Sequence, residues 1–418
     1  MTERGRNVLL LGADYGLFLV GLAFASQATI LPAFAAWLDA PNVVIGAIPA
    51  VMTLGWFLPA LFAAGYTETL PRQWPFIMRW TGWERAPYLV MAVAAFVTAE
   101  RAPGLTLAVV LLMLLVSTGI GGLLMPSWMD LIGRAVPTAA RGRFFALASL
   151  AAGVVGFAAS FLVADVLARV PAPRSYGICF LLASACLGLS WLALAFVREP
   201  AGRVTRAPVP LGVYLARVPA LLRRDRNLAW FLGARTLAIA GVMASGFYTV
   251  YALQAWQAPP ARAGVFTALL VAGHALGTLT LGWVADHAGH RLVLLIGAAA
   301  AVAANVVALL ATRLGAFETV FVLSGVHTAA VNVSALNVLL EFAPGADERP
   351  TYIGLGSTLM APVAFATPLI GGLMADGLGF RAVFVTALVT GAVGLIVLAT
   401  RVRDPRWVGT RTAGEVAA

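Results

Sequence analysis

The 418-residue chain has no lysine; all 28 of its basic residues are arginine. Charge of either sign is scarce, at 11% of residues, where soluble domains carry about a quarter. So few charges cannot cover a water-facing surface. There are two cysteines, Cys179 and Cys186, seven residues apart within one apolar block. They read as small hydrophobes on one helix face rather than as a disulfide or a thiolate metal site. The four histidines form no H-E-x-x-H pattern. A phosphate-cradling G-x-x-x-x-G-K-[ST] loop and a G-x-S-x-G turn are also missing, which argues against ATP-driven work and against a nucleophilic hydrolase. No loop is long enough to fold alone, and no cleavable leader is evident. The expectation is a protein that is not an enzyme and holds no metal or cofactor.

What the chain has in abundance is long apolar blocks, 61% hydrophobic residues overall. A membrane-crossing helix needs roughly 20 of them in a row. Barrel strands would be short and alternating, so the blocks read as helices that satisfy their own backbone in lipid. Twelve spans are expected, near 10–37, 43–66, 86–100, 105–129, 143–168, 176–197, 228–255, 262–285, 291–312, 316–341, 352–376 and 380–400. The third is the shortest, bracketed by Arg85 and Glu100. Residues 71–84, rich in tryptophan and arginine, read as an interfacial segment.

The net charge of +10 suggests nucleic acid only until the arginines are located. They lie between apolar blocks, so the partner expected is the lipid bilayer and not nucleic acid. With the N-terminus inside, 21 arginines fall on the cytoplasmic side and six on the other, with Arg235 alone within a span. That asymmetry follows the positive-inside rule and predicts a multi-pass inner-membrane protein with both termini cytoplasmic. Residues 198–226 hold Pro200, Pro208 and Pro210 and seven arginines and read as a cytoplasmic linker with a short interfacial helix near 211–222. The expected domains are a six-helix bundle at 1–197, the linker at 198–226, a second bundle at 227–401 and a tail at 402–418.

The halves are faintly alike. Pro137 and then Arg141-Gly142-Arg143-Phe144 follow the fourth span, while Pro344 and then Arg349-Pro350-Thr351-Tyr352 follow the tenth. Asp130 and Glu341 precede these patterns. Tyr176 with Phe180 and Phe380 with Phe384 open the sixth and twelfth spans. Two related six-helix halves are the mark of transporters that rock about a midplane site.

Between the eighth and ninth spans the chain reads Gly282-Trp283-Val284-Ala285-Asp286-His287-Ala288-Gly289-His290-Arg291. This resembles the G-x-x-x-D-[RK]-x-G-[RK]-[RK] loop of the major facilitator superfamily, matched at Gly282, Asp286, Gly289 and Arg291. Physically, Gly282 permits close helix approach, and Asp286 ends a helix and can face a neighbouring helix N-terminus. Gly289 supplies a positive φ. Arg291 can bind an acid or the last carbonyls of a helix. The resemblance implies a cytoplasmic latch, with Asp130, Glu341 and Arg141 as further latch residues near Arg134 and Arg291. The corresponding first-half loop, Gly65-Tyr66-Thr67-Glu68-Thr69, departs from the pattern, and no subfamily motif is matched.

The resemblance also implies a cavity lined by the first, fourth, seventh and tenth spans, so polar groups deep within spans are the site candidates. Arg235 reads either as a ligand for a carboxylate or phosphate or as a snorkelling or structural arginine. His327 and His274 read first as neutral rings bonded to a neighbouring helix and second as substrate or proton carriers. Asp14 reads first as a cap or interfacial acid and second as a coupling carboxylate. Gln27, Asn332, Asn337 and Asn305 suit hydrogen-bonding lining residues or interhelical glue. Tyr248, Tyr251 and Gln254 read as an outer gate or an interface belt. The expected fold is all-α, with twelve transmembrane helices in two pseudo-symmetric bundles. The expected function is secondary active transport of a small organic solute by alternating access, proton coupled, by a monomer. The alternatives are a non-transporting receptor or assembly partner on the same fold, or a membrane-embedded enzyme.

Overall fold

A computed structural model describes residues 3–67, 70–199, 221–343 and 358–405, together with Tyr352 and Gly356. All regular structure among the described residues is helical. The helices are α1 (Glu3–Phe24), α2 (Ile30–Trp37), α3 (Asn42–Thr67), α4 (Trp74–Val97), α5 (Pro103–Ala135), α6 (Thr138–Arg169) and α7 (Arg174–Ala195). They continue as α8 (Arg226–Gly241), a 3-10 turn (Met243–Gly246), α9 (Tyr248–Ala255), α10 (Arg262–Ala288) and α11 (His290–Leu310). The last are α12 (Leu314–Phe317), α13 (Thr319–Phe342), α14 (Ala361–Leu378) and α15 (Phe380–Thr400).

Eleven of these stretches are long and apolar enough to cross a membrane, and the apolar side chains left exposed on them, such as Leu276, Leu310 and Leu373, suit a lipid surround. The helix at the place of the expected third span is α4. It has 24 residues but is not one of the eleven, because it carries Arg79, Glu84 and Arg85. It also starts earlier than expected. Trp74 follows directly on Gln73, whose carbonyl receives the Ile77 amide at 3.0 Å. Most of the segment expected to lie in the interface is therefore the first half of a helix, and Arg85 stands inside that helix rather than in a connection. The segment 211–222 and the Pro344 to Thr351 pattern fall largely or wholly outside the described residues.

Among the described residues, the spans that join α1 to α2 and α8 to α9 are interrupted. Between α1 and α2 the chain turns at residues 25–29, where the Ser26 carbonyl accepts from the amides of Thr29 and Leu31 at 3.3 and 3.0 Å. Between α8 and α9 the 3-10 turn intervenes. Broken helices free backbone groups, which is tolerated at membrane depth only inside protein or beside a cavity.

Packing divides the chain into two units, residues 1–209 with 249–268, and residues 210–248 with 269–418. In the first, α1 packs on α6 and α7, α3 on α5, and α4 on α5 and α7. Residues 249–268 join it through Thr249, whose hydroxyl donates to the Ala28 carbonyl at 2.8 Å, and through the Thr29 and Thr267 hydroxyls, 2.5 Å apart. In the second unit α8 packs on α15, and α11 packs on α13 and α15.

Candidate functional site

A cluster of buried charge lies within the first unit. Asp14 of α1 and Glu84 and Arg85 of α4 are 2%, 8% and 6% exposed. Arg85 Nη2 lies 2.9 Å from Asp14 Oδ1, and Arg85 Nη1 lies 3.0 Å from Glu84 Oε2. Neutral donors complete the shell. The Ser190 hydroxyl of α7 donates to Asp14 Oδ1 at 2.7 Å, and the Trp128 indole of α5 donates to Asp14 Oδ2 at 3.0 Å. Thr81 donates to Glu84 at 3.2 Å, and the Ser117 hydroxyl holds the Glu84 carbonyl at 2.7 Å. The Arg85 guanidinium sits over the Phe18 ring at 5.6 Å. Four helices thus converge on two carboxylates that share one guanidinium. Such an assembly needs its partners, because an unpaired charge in these surroundings is expensive.

Asp14 was expected close to one end of its span. The structure lengthens the helix to Glu3, which sets Asp14 about 16 Å along it at 1.5 Å per residue. Arg85, assigned to a connection, is its partner. The signal that would have found the pair is the isolated Glu84-Arg85 dipeptide before an apolar run, read as flanking charge rather than as helix interior.

The second unit has a cavity of about 210 Å³ beside the break between α8 and α9. Its polar wall is Ser245, Tyr248, Ser324, His327 and Thr328, and its apolar wall is Val242, Ala301, Ala304 and Val331. His327 Nδ1 bonds the Gly297 carbonyl of α11 at 2.9 Å, so in the neutral ring Nε2 is an acceptor. Tyr248 is buried at 3% exposure and donates to Asn305 Oδ1 at 2.9 Å. Asn305 Nδ2 in turn donates to the carbonyls of Gly241 and Ala301, both at 3.0 Å. The amide therefore satisfies a carbonyl freed at the end of α8. It ties α11 to the break and fixes Tyr248.

The other candidates are placed as follows. Arg235 is half-buried on α8, and its buried Nη1 has no hydrogen-bond partner among the described residues. It precedes the cavity residue Val242 by seven positions, two turns on the same face and about 10 Å along the axis. His274 of α10 and Asn332 of α13 meet, with Asn332 Nδ2 3.1 Å from His274 Nε2. Asn337 donates to its own helix, at the Val333 carbonyl. Gln27 is exposed in the turn between α1 and α2. Tyr251 is half-buried and Gln254 exposed on α9.

In the motif loop, Gly289 has φ 94°, as its place between α10 and α11 requires. Arg291 Nη2 donates to the Leu398 and Ala399 carbonyls at 3.2 and 2.7 Å, binding the end of α15 rather than an acid. Close helix approach does not explain Gly282, because a Cβ there would meet nothing within 4 Å. Asp286 is exposed. Asp130 pairs with Arg134 at 2.6 Å, and Arg134 reaches Glu199 at 3.0 Å. Arg141 binds the Gly133 and Val136 carbonyls at the end of α5, and Glu341 is half-buried near the end of α13.

A stronger repeat went unread in the sequence. Arg4-Gly5-Arg6-Asn7 opens α1 and Arg224-Asp225-Arg226-Asn227 opens α8, while Val197-Arg198-Glu199-Pro200 and Val402-Arg403-Asp404-Pro405 follow the last helix of each half. The structure pairs them identically. Asn7 Nδ2 donates to the Arg198 carbonyl at 2.7 Å and Asn7 Oδ1 accepts from the Arg198 amide at 3.1 Å. Asn227 does the same with Arg403 at 2.9 and 2.8 Å.

The sequence model of the Major Facilitator Superfamily matches residues 231–416. A drug efflux pump, JefA, of Mycobacterium tuberculosis is 29% identical over 154 residues, 34% of this chain and 30% of the relative. The tetracenomycin C resistance and export protein of Streptomyces glaucescens is 31% identical over 123 residues, 29% of this chain and 22% of the relative. The chain thus spans less than a third of the length of these curated relatives. Among solved structures, a variant of the nucleoside transporter NupG superposes with TM-score 0.73 at 13% identity, covering 95% of this chain and all of that one. A D-xylose-proton symporter does so with TM-score 0.64 at 14% identity, covering 95% and 98%. The second half of the chain thus matches the Major Facilitator Superfamily by sequence, and nearly its whole length shares the fold of these solved transporters.

Proposed function

We propose that this protein is a secondary transporter that moves a small organic solute across the inner membrane by alternating access, driven by protons, with both termini cytoplasmic. The observation that carries the reading is the broken span between α8 and α9, which opens a cavity lined by Tyr248 and His327 within the segment that matches the family. Discontinuous helices at a polar cavity are where transporters of this architecture bind substrate. Arg235, with a buried guanidinium nitrogen lacking a partner, anchors an anionic or strongly polar group of the solute. His274 with Asn332, and Asn337 and Gln27, are further lining groups. The relatives named for drug efflux and tetracenomycin export favour an amphipathic organic compound moved outward.

Coupling is assigned to the buried cluster of the first unit. Two carboxylates and one guanidinium leave one negative charge in excess, and one proton makes the set neutral. A proton is therefore the ion whose arrival changes this cluster most. His327 and His274 are alternative carriers. The motif loop with Gly282, Asp286, Gly289 and Arg291, together with Asp130, Arg141 and Glu341, serves as the cytoplasmic latch.

The test is flux of labelled amphipathic compounds in vesicles containing only this protein, with and without an imposed proton gradient. Gradient-driven accumulation is expected, with Arg235→Ala losing binding and Asp14→Asn losing accumulation against a gradient while still allowing downhill exchange. Flux indifferent to both substitutions would overturn the site assignment. Absence of any flux, with ligand binding retained, would favour a receptor on the same fold.

A further inference from the structure

A second, larger cavity lies in the first unit, lined by none of the groups assigned to transport. It measures about 770 Å³ and is walled by the first turns of α1, the start of α4 and the chain leaving α7. Three arginines face it, Arg6, Arg72 and Arg198, beside Trp74, with Leu9 and Phe196 among its apolar residues. Leu9 and Phe196 are 64% and 67% exposed.

The charge in this cavity is unbalanced. Arg6 Nε and Nη2 are buried and have no hydrogen-bond partner among the described residues. The one carboxylate in the wall, Glu199, is already engaged. Its Oε1 accepts from the Gln73 amide at 2.8 Å and from Arg134 at 3.0 Å, and its Oε2 accepts from the Trp74 amide at 3.0 Å. Glu3 approaches Arg198 only at 3.6 Å, with both side chains mostly exposed, a surface pair of little strength. Buried guanidinium nitrogens without acceptors call for an anion, and the planar fork of arginine suits phosphate. The apolar rim calls for more than an inorganic ion. Exposed Leu9 and Phe196 adjoin the basic groups on helices that run through lipid, so an acyl chain can follow the helix surface while its headgroup stays with the arginines.

We infer that this cavity holds the phosphate of an anionic phospholipid, with Arg6 and Arg198 as its principal ligands, Arg72 at the mouth and Trp74 at the headgroup level. Basic pockets at bundle ends bind such headgroups, and tryptophan favours the same depth.

The experiment uses the full chain, purified in mild detergent and stripped of lipid. Unfolding midpoint and native mass spectrometry are followed against phosphatidylglycerol, phosphatidylcholine and glycerol phosphate. Phosphatidylglycerol should raise the midpoint saturably and remain bound in about one copy, phosphatidylcholine should do neither, and glycerol phosphate should act only weakly. Each arginine removed should weaken the lipid about fivefold, so Arg6→Gln with Arg198→Gln should weaken it about thirtyfold. The control pair Arg169→Gln with Arg313→Gln should change nothing. If the cavity pair does not fold, Arg72→Gln at the exposed mouth carries the test and must weaken binding severalfold. Unchanged affinity in the cavity variants overturns the proposal, and so does glycerol phosphate matching the lipid, which would make this a free-anion site. Because lipid binding is read without flux, failure here leaves the transport reading untouched, and the reverse holds as well.

Discussion

Arg85 is the residue on which the first unit depends most. Among the described residues its guanidinium is the only positive charge in contact with Asp14 and Glu84, and its remaining bonds go to Thr81 and Ser190. Arg85→Met keeps much of the volume but leaves two carboxylates uncompensated. Breaking one partner out of a buried pair costs about 3–5 kcal/mol, so this variant should unfold at a markedly lower temperature in detergent or fail to accumulate. Neutralising the whole set, with Asp14→Asn, Glu84→Gln and Arg85→Met together, removes charge and counter-charge alike, since well-packed neutral replacements of buried ion pairs are often nearly neutral in stability. The triple variant should recover most of the lost midpoint. A triple variant as unstable as the single one would show that hydrogen-bond geometry, not charge compensation, holds α1, α4, α5 and α7 together. Burial of a mid-helix pair was hard to read in the sequence because its members lie 71 residues apart. Asp14 has no obvious partner nearby in the chain, and Arg85 has only its neighbour Glu84.

Helix contacts in this chain rest on small residues, which is what packing without a hydrophobic driving force requires. The α10–α13 crossing is the tightest case in the second unit. A Cβ on Gly273 would stand 2.3 Å from the Val322 carbonyl oxygen, and one on Gly325 would stand 2.3 Å from the Leu270 carbonyl oxygen. Backbone cannot yield as a flexible side chain does. Gly273→Ala and Gly325→Ala should therefore each destabilise by about 1–3 kcal/mol, the usual range for overpacking. They should also disturb the His274 and Asn332 contact, since Gly273 directly precedes His274 and Gly325 lies two turns before Asn332. Gly282→Ala on the same α10 meets open space and should be neutral or slightly stabilising, by up to about 1 kcal/mol from helix propensity. Thermal midpoints of the three variants decide the point, and equal losses at all three would mean that crossing distance does not govern this element. Sequence inspection marks all three glycines alike. Only the crossing separates a glycine needed for space from one that is not.

At the scale of the molecule, the all-helical class and most of the span positions were legible, because twenty-residue apolar blocks leave little else possible. Two features were hidden for physical reasons. The helix α4 carries three charges in its first half, so hydropathy alone cut it short at Arg85, although Glu84 and Arg85 are paired inside the bundle. The breaks after α1 and α8 are too apolar to show as turns. The resemblance between halves was sought around Pro137 and Pro344, where it is weak. The better signal was the pair of asparagines that clamp the ends of each half, Asn7 on Arg198 and Asn227 on Arg403. That symmetry bears on orientation. Each clamp joins the opening turn of its half to the chain leaving that half's last helix, so both ends of each half lie on one face of the bilayer. The arginines cluster with those ends: Arg4, Arg6, Arg198, Arg224, Arg226, Arg401 and Arg403 all stand within a few residues of the clamps. The positive-inside rule predicts that the ends of each half face the cytoplasm. A fluorescent reporter that folds only in the cytoplasm, fused after Ala418, should therefore light up. Alkaline phosphatase fused at the same place should stay inactive, while phosphatase inserted after Arg313, between α11 and α12, should be active. The opposite pattern would invert the molecule in the membrane. An active phosphatase at both places would mean that an even number of crossings separates Arg313 from the C-terminus, and would remove either α14 or α15 from the set of spans.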